Sequence, residues 1–217
     1  MLGAPEWKSI PWQKVPKDFK DILVDVLVDM PQLVEEFDNM RLCIDAAKRT
    51  GLQVELEQKC WEHDQQLLAW LGMLSRIANP SKQPSREPRA EDITIRIAQV
   101  HGMSLYWTTS LVLYSILRSV AGTGTDLPAR TDPVHHARNL TASLGTLLQP
   151  KAGLFGQQSV VLLLEIALQY TMDISTASSE GGVLVETLKR LKDDSVNGPA
   201  RVLEAHSNHH QGAVSEK

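Results

Sequence analysis

An uncharged run at residues 102–117 constrains the fold of this chain more than any other segment. The run lies between His101 and Arg118 and is rich in Ser and Thr. A transmembrane helix needs about 20 predominantly apolar residues, so this run is too short and too hydroxylated to cross a bilayer. Ser and Thr hydroxyls in a helix can bond back to the preceding turn. The run therefore predicts a helix that other helices bury on most sides.

Apolar residues along the rest of the chain recur at intervals of three and four, which is the spacing of one helix face. This spacing predicts helices at about 18–30, 31–51, 54–77, 91–120, 133–148, 160–172 and 183–191. No segment has the length and alternation of a convincing strand. The predicted fold class is all-α, an irregular helical bundle or an α-solenoid of about seven helices.

Prolines and polar segments predict the domain boundaries. Residues 1–17 are expected to form an extended lead-in, with Trp7 and Trp12 docked onto the body between three prolines. Asp18 is a good N-cap for the helical domain at 18–195, which a proline-rich loop interrupts near 79–90. The tail at 196–217 is predicted to be disordered.

Composition excludes several kinds of partner and site. The net charge of −4 argues against binding to a nucleic-acid backbone, which needs clustered Lys and Arg. Cys43 and Cys60 are the only cysteines, and without a Cys-x-x-Cys pair they exclude a thiolate zinc site. Both thiols are expected to be reduced and buried. The N-terminus lacks the basic and apolar run of a signal peptide, so the chain is interpreted as intracellular and not secreted.

Three patterns resemble metal or phosphate motifs but fit ordinary structure better. His206 and His210 have the spacing of two imidazoles on one helix face, yet they lie in a polar terminal segment. Asp193 and Asp194 are adjacent, which suits a helix end better than a pair of metal ligands one turn apart. The glycines at 122–124 follow a helix and lack the lysine of a nucleotide loop. No metal, cofactor or catalytic residue is therefore predicted.

A set of ionisable residues supports an alternative interpretation. In that alternative the chain is an all-helical enzyme or binding protein with an apolar pocket for a small metabolite. Its buried catalytic groups would come from Glu62, His63, Asp64, His101 and Glu165. Because consecutive helix residues point in different directions, the first three cannot act together without partners from elsewhere. An exposed helix face is the preferred interpretation of these three residues.

The N-terminal segment carries a family resemblance. Its tryptophan-rich stretch Glu6–Trp12 leads into the acidic and apolar stretch Asp21–Glu36, which contains Met30-Pro31-Gln32-Leu33. This pattern resembles the C-terminal regulatory region of fungal zinc binuclear cluster transcription factors, especially regulators of secondary-metabolite loci. Further similar positions are Cys60-Trp61, Leu67, Trp70-Leu71, Leu105-Tyr106-Trp107, Leu113-Tyr114 and Ala137-Arg138.

The resemblance implies a nuclear, all-helical regulatory domain that takes part in transcription and has no enzymatic activity. It implies protein partners, either the transcriptional machinery or a second copy, and it allows a small-molecule effector. No membrane association is expected, because the uncharged run is too short to span a bilayer. The six-cysteine DNA-binding cluster of the family is absent from this chain, so direct nucleic-acid binding is not expected. The chain is accordingly interpreted as a fragment, a truncated gene model or a paralogue without its DNA-binding module.

Overall fold

The computed structural model describes residues 5–77, 90–122, 124–149, 152–175, 182 and 184–193. Within these ranges all regular structure is helical, which confirms the all-α prediction. The helices are α1 (Pro5–Ser9), α2 (Phe19–Leu27), α3 (Met30–Leu42), α4 (Ala46–Ile77), α5 (Ala90–Ala121), α6 (Pro133–Leu147), α7 (Gly153–Ser175) and α8 (184–193). Short 3₁₀ turns occur at Ile10–Trp12 and Ala129–Thr131. The predicted tail at 196–217 and, except for Ala90, the predicted loop near 79–90 lie outside the described residues.

Helix α5 is the centre of the molecule. It packs against α2, α3, α4, α6 and α7, which include helices far from it in the chain. Because a repeat in a solenoid contacts only its neighbours, these contacts identify a bundle. The side chains of Leu111, Leu113 and Leu117 on α5 are fully buried. The uncharged run is therefore the buried helix that the sequence predicts.

Three hydroxyl groups in the buried part of α5 bond back to their own helix. Ser104, Thr108 and Thr109 each donate to the carbonyl four residues earlier, with oxygen–oxygen distances of 2.8 Å. Ser104 Oγ also lies 3.0 Å from Ser143 Oγ of α6. These bonds satisfy the hydroxyl donors of Ser104, Thr108 and Thr109 in the interior of the bundle. Of the helices described, none is long and apolar enough to cross a membrane.

The starts of α2 and α3 agree with their sequence signals. The Asp18 side chain accepts from the backbone N–H groups of Lys20 and Asp21 at 2.8 and 2.9 Å. Asp21 accepts in return from the Asp18 N–H at 3.0 Å, which completes a capping box. Such a cap stabilises a helix by about 1 kcal/mol. Pro31 lies in the first turn of α3, where its missing N–H costs nothing.

The lead-in differs from the extended segment that its prolines suggest. Residues Pro5–Ser9 are helical, and Pro11 lies in the first turn of the 3₁₀ turn that follows. Proline suits these positions because the first N–H groups of a helix have no partner to lose. Trp12 is half-buried, with the Lys17 ammonium 5.8 Å from its ring centroid. The side chain of Trp7 lies outside the described set, so its predicted docking stays a prediction.

Two predicted helix boundaries are wrong. The break expected at Gly51 lies at residues 43–45 instead, because Asp45 caps α4 by accepting from Ala47 N and Lys48 N at 2.9 and 3.1 Å. Gly51 then lies inside the 32-residue helix α4, where a glycine costs only about 1 kcal/mol. Helix α7 begins at Gly153, well before the predicted residue 160, and packs against α5 and α6. Tertiary packing outweighs the weak helix propensity of these glycines.

Candidate functional site

Asp64 is a fully buried acid on the inner face of α4. The Tyr114 hydroxyl of α5 donates to Asp64 Oδ1 at 2.8 Å. Arg130 donates from Nη2 to Asp64 Oδ2 at 2.8 Å and from Nε to Oδ1 at 3.3 Å. We call these three residues the Asp64 network. It ties α4, α5 and the turn before α6 together through one carboxylate.

The chemistry of the Asp64 network favours a structural role. Burial, together with the hydrogen bond to Asp64, raises the pKa of the Tyr114 phenol. The same carboxylate raises the pKa of the Arg130 guanidinium through its hydrogen bonds. The Arg130 guanidinium carbon also lies 5.9 Å from the ring centroid of Trp61. Both donors keep their protons at neutral pH, which suits a structural role for their hydrogen bonds.

His136 of α6 packs against this network. Its side chain is 2% exposed, and its ring lies 4.9 Å from that of Tyr114. His136 Nε2 lies 2.7 Å from the backbone oxygen of Arg130. Since a carbonyl only accepts, Nε2 carries the proton and donates, whereas Nδ1 has no partner within the described structure. Burial lowers the pKa of His136 to about 4, so this imidazole is neutral at pH 7.

The five candidate catalytic groups of the alternative interpretation do not form one site. Asp64 alone among them is buried, because Glu62 and Glu165 occupy exposed faces of α4 and α7. Glu165 Oε1 pairs with Lys192 Nζ of α8 at 2.7 Å. His63 and His101 are half-buried, and burial lowers the pKa of each. The alternative that Glu62 or Glu165 is a buried catalytic group is therefore wrong. The preferred interpretation of residues 62–64 as an exposed helix face holds for Glu62 but is wrong for Asp64, which is fully buried.

The remaining sequence candidates also have structural positions. The described residues contain no group of three or more His, Cys, Asp or Glu that could hold a metal ion. Cys60 is buried, and burial together with the charges of Glu57 and Glu36 raises its pKa to about 12. Cys43 is half-buried after α3, so only one of the two thiols is buried as predicted. Asp193 is exposed on α8, whereas Asp194, His206 and His210 lie outside the described ranges.

An apolar groove of about 440 Å³ lies where the α2–α3 joint meets α5 and α7. Small-molecule pockets have volumes of roughly 300–1,000 Å³, so this size suits a small-molecule ligand. We call it the Pro31 groove. Its described lining consists of Leu27, Met30, Pro31, Val34, Leu105, Thr108, Thr109, Val112, Leu162, Leu163, Ile166, Gln169 and Tyr170.

The lining of the Pro31 groove is almost entirely neutral and apolar. Its described residues include no charged side chain and none of the five candidate catalytic groups of the alternative interpretation. The Thr108 and Thr109 hydroxyls donate to their own helix, so they offer a ligand only oxygen lone pairs. The groove is open to solvent along α7, where Leu162 is 63% exposed. The arrangement suits binding of an apolar molecule better than acid–base chemistry.

Sequence patterns alone missed the partners of Asp64. Tyr114 and Arg130 lie 50 and 66 positions from it in the chain, so no local motif contains the network. One signal was present: Asp64 shares helical spacing with the buried residues Cys60 and Leu67 of α4. An acid on an apolar helix face requires a buried partner, because an unpaired buried charge is costly.

Comparisons with known proteins identify no relative, since no protein-family model, curated protein or solved structure matches this chain. Some residues of the predicted family pattern have defined structural positions. Met30 and Pro31 line the Pro31 groove. Trp61 packs on Arg130, and Tyr114 belongs to the Asp64 network. The family assignment itself stays a prediction.

Proposed function

We propose that this chain is a helical regulatory domain of a fungal transcription factor-like protein, acting in the nucleus and controlled by an apolar small molecule. The observation that carries the proposal is the Pro31 groove. The family resemblance supplies the transcriptional role, and the groove supplies a place for an effector. The partners of the domain are the transcriptional machinery or a second copy of the chain.

The position of the Pro31 groove suits regulation. Its walls come from four helices, so one ligand contacts the α2–α3 joint, α5 and α7 together. A ligand that binds only the packed arrangement of these walls stabilises it by mass action. Ligand binding would therefore select one orientation of the α2–α3 joint.

The outer face of α3 is a candidate surface for protein partners. Glu35 and Asp38 are exposed there. Glu36, which the sequence pattern groups with Glu35, is instead bound to Lys59 of α4, with its two oxygens 2.6 and 2.7 Å from Nζ. Because α3 also lines the Pro31 groove, a bound effector and a partner on this surface would act on the same helix.

A neutral fluorescent dye, N-phenyl-1-naphthylamine, tests the groove. We expect saturable binding to the wild type. Ile166→Trp adds bulk at a half-buried lining position, and we expect it to weaken binding by about tenfold or more. Val161→Trp is the matched control, since Val161 lies on the same helix, is 46% exposed and is not a lining residue. Absence of binding to the wild type, or equal binding to both variants, contradicts the proposal.

A reporter assay tests the transcriptional role. The full chain is fused to a foreign DNA-binding module, and expression of a reporter gene is compared with that for the module alone. We expect the wild-type fusion to change reporter expression relative to the module alone. We expect the fusion carrying Ile166→Trp to give a different expression level from the wild-type fusion, and the fusion carrying Val161→Trp to give the same level. A silent fusion, at normal protein levels, would count against a role in transcription.

A further inference from the structure

The shape of the Pro31 groove limits the shape of its ligand. On α7 the lining extends from Leu162 to Tyr170, and on α5 from Leu105 to Val112. With a rise of 1.5 Å per residue, these stretches are about 12 and 10 Å long. Aliphatic side chains of the α2–α3 joint, such as Leu27 and Val34, complete the lining. An elongated aliphatic molecule fits such a groove better than a compact polar one.

The polar groups of the groove are not evenly distributed. Gln169 and Tyr170 are the last lining residues of α7. Their amide and phenol groups can each donate a hydrogen bond. Thr108 and Thr109 have already committed their hydroxyl hydrogens to the helix backbone. A ligand oxygen therefore finds its donors at the Tyr170 end of the groove.

Charge at the Tyr170 end disfavours an anionic ligand. Burial and the negative charge of Asp38 raise the pKa of Tyr170, which keeps the phenol neutral. The same carboxylate repels a ligand anion placed against Tyr170. No described lining residue is a cation that could compensate. Because Asp38 is exposed and screened by salt, both its repulsion of an anion and its attraction for a cation are weak. The absence of a charged side chain from the described lining is what disfavours a ligand ion of either sign.

We propose that the Pro31 groove binds a neutral, elongated aliphatic molecule about 10–12 Å long, with a single hydroxyl or carbonyl oxygen hydrogen-bonded by Tyr170. This inference rests on the proposed function, because it names the chemical class of the effector for the same groove. A hydroxyl or carbonyl oxygen accepts from the phenol, and the aliphatic body replaces water along the rest of the lining.

Three probes with one chain length test the ligand class. 1-Decanol, decanoate and decylammonium compete with N-phenyl-1-naphthylamine for the wild-type protein at neutral pH. We expect 1-decanol to displace the dye at concentrations about tenfold below those of either ion, because an unpaired charge loses its hydration in the groove. Equal or stronger displacement by decanoate or decylammonium overturns the inference.

Tyr170→Phe tests the hydrogen bond. This variant keeps the ring and removes only the donor, so we expect unchanged dye affinity and an affinity for 1-decanol about 3–10 times weaker. Unchanged 1-decanol affinity in Tyr170→Phe overturns the placement of the ligand oxygen. If the dye does not bind the wild type, or if Ile166→Trp does not weaken dye binding, the groove is not a ligand site and the proposed function is contradicted as well. If the dye binds but the three probes displace it equally well, only the inference about the ligand class is contradicted.

Discussion

Asp64 contributes to stability through the hydrogen bonds that its carboxylate accepts from Tyr114 and Arg130. Its carboxylate is buried, and replacing it with an amide leaves the Arg130 guanidinium without a charge partner. Breaking a buried ion pair by changing one partner costs about 3–5 kcal/mol, and the partial exposure of Arg130 reduces this. We expect Asp64→Asn to lower the free energy of unfolding by about 2–3 kcal/mol in urea titrations. The exposed neighbour Glu62→Gln should change it by less than about 0.5 kcal/mol, and equal effects of the two would contradict a stabilising network.

His136 makes stability depend on pH. Its pKa is about 4 in the folded protein against 6.5 in the unfolded chain, so the unfolded chain binds more protons between these values. The contribution of neutral, buried His136 to the free energy of unfolding is therefore fully present above pH 6.5. The free energy of unfolding falls by about 3 kcal/mol as the pH is lowered towards 4. Burial lowers the pKa of His63 and His101 as well, so their protonation also lowers the free energy of unfolding as the pH falls.

A variant isolates the share of His136 in this pH dependence. Urea unfolding at a series of pH values should show the wild type losing about 3 kcal/mol more than His136→Gln between pH 6.5 and 4. Other titrating groups are common to both proteins and cancel in the comparison. Parallel stability profiles for the two proteins would show that His136 does not titrate as its burial demands.

At the scale of elements, glycine has opposite effects at two helix positions. Gly122 follows the end of α5 with φ of 79°, in the left-handed region that costs other residues about 1–2 kcal/mol. Gly145 lies within α6, and an added Cβ there has no atom within 4 Å. We expect Gly122→Ala to destabilise the protein by about 1 kcal/mol and Gly145→Ala to stabilise it by up to about 1 kcal/mol. Thermal unfolding checks both signs, and a Gly122→Ala protein as stable as wild type would count against a strained turn.

At the scale of the whole molecule, the core around α5 is one contiguous cluster that includes residues of α2, α4, α6, α7 and α8. Cys60 belongs to it, is fully buried and has a pKa near 12, so its thiol reacts only when the bundle opens. Cys43 is half-buried outside the core. We expect a thiol reagent to label Cys43 first and Cys60 at the rate of global unfolding.

Cys43→Ser provides the control for this labelling, because it leaves Cys60 as the single thiol. Labelling of Cys60 in this variant should be slow in buffer and should accelerate steeply with urea. Equal rates for both thiols in the native protein would show that the α4–α5 contact opens locally instead of cooperatively.

The sequence by itself determined the kinds of element and many of their details. Helical spacing identified the all-α class, and the uncharged run identified the buried helix α5. The Asp18 cap and Pro31 marked two helix starts because capping depends on neighbouring residues alone. Local rules failed at Gly51 and Gly153, where long helices absorb the cost of a glycine.

Only the tertiary structure decided which faces meet. Spacing aligns Asp64 with Cys60 and Leu67 of α4, but only the folded structure shows that Asp64 is buried and that Arg130, 66 positions away in the chain, pairs with it. The Pro31 groove likewise depends on four helices whose separate patterns show only that each has an apolar face. Periodicity encodes the direction of a side chain on its own helix, and hydrophobic burial has no preferred direction or partner. The pairing of faces, and with it the candidate site, therefore follows from how all the helices pack together.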